Sequence, residues 1–297
     1  MKINIFRDKF VENMYTGKKL ANYTWFGVGG NAELLYIPEK VISLEKFLKV
    51  KPIDCKLFTI GAGSNVLVRD NGIDGVTLIT SKLNKISIDN EGIITANCGA
   101  VDAEVARFAR NHCRAGLEFL IGIPGTIGGG VKMNSGAFGN EFKDVLIDVK
   151  AINHNGEYKV FTKKELNMGY RKIGIKDEWI FLSARFKTSD DTQKNIQKKM
   201  KKIILSRKNA QPIGVKTGGS TFKNPTGKKA WRLIDQAGCR GWKKGDAMIS
   251  EKHCNFIVNL KNANAYQIEE LAQNVKQKVF ENTGIKLNWE IERVGNK

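Results

Sequence analysis

The sequence contains no run of about eighteen apolar residues, which excludes a membrane-spanning helix. It is poor in metal-binding patterns. The three histidines, His112, His154 and His253, stand apart from one another, and none of the five cysteines forms a CxxC pair. Neither a metal site nor a disulfide framework is expected, and His253 beside Cys254 reads as local packing. Internal repeats and low-complexity tracts are absent. The N-terminus, MKINIFRDKFVENMYTGKKL, has scattered charges and no apolar centre, so it does not read as a secretory leader. The chain is expected to be cytoplasmic.

Acidic residues are also in short supply. Thirty Asp and Glu against 49 Lys and Arg leave a net charge of +19. Such a balance suits an anionic partner: nucleic acid, a membrane surface or a polyphosphate ligand. The lysines are dispersed, however, with one dense patch at Lys198-Lys199-Met200-Lys201-Lys202, a pattern that more often lines the wet side of a helix. The excess would still speed capture of an anionic substrate.

The 297 residues, 41% of them hydrophobic, suffice for two or three domains. Strand patterns occur at Leu57–Ile60, Val76–Ile79 and Trp179–Phe186. Hairpins are expected over Lys85–Asn97 and, around His154-Asn155-Gly156, over Val145–Phe161. Helices are expected over Asp102–His112, Thr192–Arg207 (apolar stripe Ile196, Met200, Ile203, Ile204), Lys228–Ala237 and Ala265–Asn282. The last is capped by Asn264 and ended by Gly284, and Thr162 with Glu165 forms a capping box for a short helix. Asn255–Leu260 and Leu287–Val294 read as strands. In the latter, Leu287, Trp289 and Ile291 face one way, and Asn288, Glu290 and Glu292 the other. Blocks of strands and helices with several hairpins make the class α+β, with a boundary near residue 190.

Two glycine-dense loops carry the chemistry. Gly61-Ala62-Gly63-Ser64-Asn65 follows a strand but lacks the third glycine and the following helix of a dinucleotide fingerprint. It reads as a nest of N–H groups, with Ser64 and Asn65, suited to an anion, or as an ordinary tight turn. Gly122–Ala137, GIPGTIGGGVKMNSGA, fits neither the helical nor the strand period. It is too apolar for a linker and too glycine-rich for a core helix, so a buried ligand-contacting loop is expected. Asn134 and Ser135 add side chains able to bond a flat heterocycle. Further candidates are Arg171, whose planar fork suits a carboxylate or enolate, Ser220 after Gly218-Gly219, and Glu290. Each is equally compatible with a surface or turn role.

Taken together, NYTWFGVGGNA (22–32), GAGSN (61–65), GIPGTIGGGVKMNSGA (122–137), GYR (169–171), GGSTFKNP (218–225), SEKHCNFIVN (250–259) and WEIERVG (289–295) resemble the UDP-N-acetylenolpyruvoylglucosamine reductase family, in its shorter class without an extra substrate-capping loop. The chain departs from the family pattern at Gly128-Gly129-Gly130, Ser135, Cys239 and Cys254. The resemblance implies a FAD-binding region of the vanillyl-alcohol-oxidase type in two subdomains, residues 1–80 and 81–190, and a substrate domain over 191–297. The final strand, about 286–297, would pack back on the first subdomain.

The resemblance further implies FAD as cofactor, NADPH as co-substrate and a UDP-sugar enolpyruvyl ether as substrate. Arg171, Ser220 and Glu290 become the catalytic residues, with Arg171 and Glu290 stabilising the developing enolate and Ser220 giving its proton to carbon. The FAD contacts become Gly61, Ala62, Gly63, Ser64, Asn65, Gly122, Pro124, Gly125, Thr126, Gly128, Gly129, Asn134, Ser135, Gly136 and Ala137. Tyr170, Lys223, Asn224, Arg207 and Lys208 become substrate-binding. A monomer is expected. Another oxidoreductase on the same flavin scaffold, or a basic nucleic-acid-binding protein, are the competing readings.

Overall fold

The computed structural model describes residues 12–297; residues 1–11, on which much of the leader reading and the start of the first subdomain rest, lie outside it. The chain divides into two compact units. Of the described residues, one unit comprises 12–15, 34–62 and 75–207, and the other comprises 16–33, 63–74 and 208–297.

The first unit holds two apolar cores. In one, the helix Val41–Val50 turns Leu44, Phe47 and Leu48 toward Leu34, Tyr36, Val76 and Leu78. The strand Leu57–Ile60 pairs in parallel with the run Val76–Ile79, the stretch expected from its β-branched pattern. The second core lies under a five-stranded antiparallel sheet. Its order is Tyr158–Thr162, Leu146–Asn153, Trp179–Phe186, Ile94–Asn97, Ile86–Ile88. Both expected hairpins are present in it. Thr162 and Glu165 form the reciprocal capping box, with the Glu165 carboxylate accepting the Thr162 N–H at 2.9 Å.

The helix Asp102–Asn111 packs Val105, Ala106 and Ala109 into this second core, as its period requires. The basic helix, Gln193–Ala210, adds Ile196 and Met200 and rests Ile203 on its margin. Ile204, expected on that stripe, is 46% exposed, because the last turns of the helix run beyond the core they would cover.

The second unit has one core, from Phe26, Val28 and Leu67 through Leu233 and Ile234 to Ile291. A four-stranded antiparallel sheet, ordered Lys216–Ser220, Phe256–Asn259, Ala247–Ile249, Lys243–Lys244, frames it. The helix Ala265–Thr283 buries Ile268, Leu271, Ala272, Val275 and Val279. Asn264 caps it by accepting the Gln267 N–H at 2.9 Å, and Gly284 ends it at φ 69°. The expected strand over Leu287–Val294 is shorter: only Glu292–Val294 is ladder, parallel to Val66–Val68, while Trp289 makes an isolated bridge to Phe222.

Asp102 sets a measurable feature of the first unit. It begins a helix, where a carboxylate is ordinarily favoured by the dipole. Yet it is fully buried with no hydrogen-bond partner at either oxygen, and burial raises its pKa well above the usual carboxylate range. The folded chain therefore holds this proton at pH values where the unfolded chain has released it. The group's stability contribution is full below the unfolded-state pKa of about 3.9 and falls, as pH rises toward the folded-state value, by about 1.4 kcal/mol per pH unit. Asp102→Asn, which stays neutral, is expected to raise Tm at pH 7, with the advantage vanishing near pH 4. Thermal unfolding across that range measures it.

Candidate cofactor and active site

In the first unit, the strand Leu57–Ile60 delivers Gly61 against Thr126. The segment Gly125–Gly128 is laced to Cys98–Asp102: the Asp102 N–H donates to Gly125 (3.1 Å), Ile127 N–H to Ala100 (2.9 Å) and Gly128 N–H to Cys98 (2.8 Å). The chain then enters a short helix, Ile127–Lys132. This replaces the irregular loop expected from the sequence. Its helical period is hidden because Gly128, Gly129 and Gly130 bring no side chains to show it.

The three glycines differ in use. A Cβ on Gly128 would come within 3.0 Å of the Cys98 Cβ, and one on Gly130 would overlap the Phe142 ring; both serve close packing of the helix. Gly129 is exposed, with only Thr126 Oγ1 at 3.9 Å from where its Cβ would lie.

Thr126 caps that helix from extended backbone, and its hydroxyl is buried with no hydrogen-bond partner in the protein. A side chain on Gly61 would overlap this hydroxyl. An orphaned donor facing a bare backbone fits a polar ligand pressed closely against the loop, and the diphosphate-bearing, flat-ringed FAD is such a ligand.

Asn134, expected to reach the cofactor, instead commits its side chain to the protein. Its amide donates to Glu141 Oε2 (3.0 Å) and to the Gly169 carbonyl (3.0 Å), and its oxygen accepts the Lys143 N–H (3.0 Å). The Gly169 bond matters for Arg171. Gly169 and Lys172 exchange backbone hydrogen bonds of 3.0 and 3.3 Å, so Tyr170 and Arg171 form the tip of a tight turn. Arg171 adopts φ 54°, a conformation that favours glycine or asparagine, and its guanidinium lies 5.1 Å over the Tyr170 ring. A non-glycine residue held there costs on the order of 1–3 kcal/mol, a strain that points to a need for this side chain. Arg207, at the end of the basic helix, is partly buried, and that burial lowers its pKa from the usual value.

In the second unit, three separate sequence motifs meet. The strand Lys216–Ser220 pairs with Phe256–Asn259 but slips register between Thr217 and Ser220, where Gly219 takes φ 80°. Ser220 emerges from this bulge, half-buried. Beyond it, the Glu290 N–H donates to the Thr221 carbonyl (2.9 Å) and the Lys223 N–H to the Asn288 carbonyl (2.8 Å). Ser220 and Glu290 therefore stand on adjoining segments. Glu290 is half-buried on the face opposite Leu287 and Ile291, as the alternation requires.

Asn65 joins the same group. Its amide donates to the Glu290 carbonyl (3.1 Å), and its own carbonyl accepts the Glu292 N–H (3.0 Å). Gly63 is held at φ 66° by the segment the sequence reading left without a role: Trp25 N–H donates to its carbonyl (3.0 Å), and a side chain there would overlap the Tyr23 carbonyl. Asn224 accepts the Ala230 N–H (2.9 Å), tying the expected substrate-binding pair Lys223-Asn224 to the helix Ala230–Gln236. Lys208 is exposed, and its carbonyl accepts from the Lys252 ammonium (2.5 Å). Asn255, which lies in the SEKHCNFIVN motif but was given no role there, hydrogen-bonds twice to Phe222 through its side chain.

Residues 33–162, most of them in the first unit, match the family model of a FAD-binding domain, so the chain contains a flavin-binding fold. Residues 211–294 match the C-terminal domain of UDP-N-acetylenolpyruvoylglucosamine reductase. Curated reductases of that name are similar along nearly the whole chain: 45% identical over 93% of this chain and 92% of the relative in Rickettsia bellii, and 46% identical over 93% and 94% in Rickettsia prowazekii. The crystal structure of the Thermus caldophilus reductase, 34% identical, superposes with a TM-score of 0.82, covering 95% of this chain and 100% of that one. The chain is a flavin-dependent oxidoreductase. It belongs to the UDP-N-acetylenolpyruvoylglucosamine reductase family.

The strained turn makes Arg171 separable from the fold. Arg171→Gly removes the side chain and supplies the residue that φ 54° favours. Tm is expected to hold or rise, while turnover of the enolpyruvyl sugar falls about 100-fold or more, the usual cost of losing one charge-stabilising group. Differential scanning fluorimetry with steady-state kinetics checks both.

Proposed function

We propose that this protein reduces the enolpyruvyl ether of UDP-N-acetylglucosamine to UDP-N-acetylmuramate, in peptidoglycan precursor synthesis, with NADPH as reductant. Bound FAD supplies hydride transfer between the nicotinamide and the terminal vinyl carbon of the substrate. Gly61, Ser64, Asn65, Thr126 and Gly129 are the residues that would contact the cofactor. The remaining chemistry falls to side chains. Negative charge grows on the carbon beside the carboxylate as hydride arrives. Arg171, with its planar fork, and Glu290, donating a hydrogen bond as the neutral acid, hold that carboxylate and its enolate form. Ser220 gives its Oγ proton to the carbon that bears the charge. Lys223, Asn224, Arg207 and Lys208, with Tyr170, hold the UDP portion.

The observation that carries this reading is the pairing of Thr221 with Glu290, which seats Ser220 and Glu290 on adjoining backbone. A proton donor and a group for the developing anion need that proximity. We also propose that residues 1–80 and 81–190 act as two FAD subdomains and 191–297 as the substrate domain, and that the protein works as a cytoplasmic monomer. Among the described residues no helix is long and apolar enough to cross a membrane.

The two half-reactions can be followed separately without oxygen. NADPH should bleach the yellow protein and the enolpyruvyl sugar should restore its colour. Ser220→Ala is expected to bleach at the wild-type rate and to recolour about 100- to 1000-fold more slowly. Equal loss in both half-reactions would refute the proton-donor role.

A further inference from the structure

The strand that carries Ser220 has an unusual problem. It leaves its regular ladder at the Gly218–Gly219 bulge, two residues before the backbone that must pair with Glu290. Ser220 rejoins the ladder opposite Phe256 with the register shifted, and the strand keeps that register beyond its end only where the next residues are anchored in turn. Thr221 is recaptured by a backbone bond, its N–H donating to the Asn255 carbonyl at 2.7 Å. The next rung is not backbone at all. The Phe222 N–H donates to Asn255 Oδ1 (3.0 Å), and Asn255 Nδ2 donates back to the Phe222 carbonyl (2.8 Å). A carboxamide has the donor and acceptor of a peptide unit, and here it stands in for one. The partners fix its orientation, since the N–H requires an acceptor and the carbonyl a donor. Asn255 is buried, at 4% exposure, so water does not compete for these bonds.

We propose that Asn255 is a positioning residue for the enolpyruvyl half of the reaction: its side chain extends the interrupted ladder by one rung and thereby fixes Ser220 and Glu290 against each other. The proposal rests on the reading of Ser220 as proton donor. Asn255 clamps Phe222 on one side, while Phe222 meets Trp289 on the other, with ring centroids 5.5 Å apart. Thr221, directly between Ser220 and Phe222, then offers its carbonyl to Glu290. Asn255 therefore anchors the residues that follow Ser220, Thr221 through its carbonyl and Phe222 through its side chain, and Thr221 in turn holds Glu290. Residues that must meet a carbon in a defined direction tolerate little drift, and a displacement of about 1 Å can cost on the order of 100-fold in rate.

The test uses the flavin-loaded full-length protein, with rates normalised to bound flavin, and two substitutions. Asn255→Leu removes both bonds. It should leave bleaching by NADPH unchanged and slow recolouring by the enolpyruvyl sugar about 100-fold, with little change in the sugar's KM. Asn255→Asp adds a diagnostic that loss of stability does not mimic. Protonated, its carboxyl reproduces both bonds, with an O–H donor for the Phe222 carbonyl; ionised, it sets a negative charge against that carbonyl. Recolouring in this variant should approach the wild-type rate at low pH and fall as pH rises, a limb absent from wild type and from its own bleaching step. Ser220→Ala run in parallel keeps the two claims distinct. If Ser220→Ala stalls recolouring while either Asn255 variant recolours at the wild-type rate throughout, the positioning role is wrong and the reading of Ser220 stands. Parallel loss of both half-reactions in the Asn255 variants also overturns it, as does full recolouring by Ser220→Ala.

Discussion

The second unit depends on how one strand recovers its hydrogen bonds after a bulge. Buried backbone groups must find partners, so an interrupted ladder has to be completed by whatever lies alongside. From Lys216 to Thr217 the partners are ordinary backbone of Phe256–Asn259. After Gly219 they become, in turn, the Phe256 backbone opposite Ser220, the Asn255 carbonyl, the Asn255 side chain and, on the other side, Glu290 and Asn288. The bulge bends the strand before Ser220 rejoins the ladder opposite Phe256, and the Asn255 bonds carry the pairing past the strand's end. Asn259 repeats the device nearby: its amide donates to the Phe26 carbonyl at 2.9 Å while its oxygen accepts the Ala263 N–H at 2.9 Å. Phe26 in turn fills the space that a side chain on Gly218 would need. Two asparagines of one motif thus brace the bulge from both ends.

The first unit solves a different problem, that of leaving room. Glycine there acts mainly through what its missing side chain permits its neighbours to do. Gly128 and Gly130 let the short helix settle onto Cys98 and Phe142, while Gly61 and Gly129 keep bare the backbone around the Thr126 hydroxyl. A rigid scaffold with an exposed backbone lip is the condition for binding a large planar cofactor without paying to order a loop. Asn134 links this scaffold to the Arg171 turn through the Gly169 carbonyl, so the glycine-rich segment and that turn share one hydrogen-bonded frame.

What was legible in the sequence was local. Asn264 with Gln267, Gly284, and Thr162 with Glu165 announce helix ends because the cap and its partner lie within a few residues. The alternation around Glu290 likewise predicts which face it occupies. The helix Ile127–Lys132 was not legible, because three glycines erase its period. Asn255 was hidden for another reason: its partner Phe222 is 33 residues away, and an asparagine before a strand looks like a turn residue. The strand Val66–Val68 is too short to show alternation, and its partner lies at the far end of the chain. Family motifs reached Ser220 and Glu290 where periodicity could only leave them open.

The basic composition is explained by the same comparison of local and distant partners. The densest run, Lys198–Lys202, does not present a continuous cationic surface. Met200 is buried, and the Lys199 ammonium reaches Asp191 at 3.0 Å and Glu118 at 3.3 Å, which raises its pKa. Lys198, Lys201 and Lys202 remain exposed on a helix whose inner face is committed to the core. That is the solvated side of an amphipathic helix, and it lacks the interleaved aromatics of a nucleic-acid groove. The net charge of +19 acts more broadly, as a field that draws anions. The sugar nucleotide, the nicotinamide dinucleotide and the flavin dinucleotide all carry diphosphates, so one field favours the arrival of each.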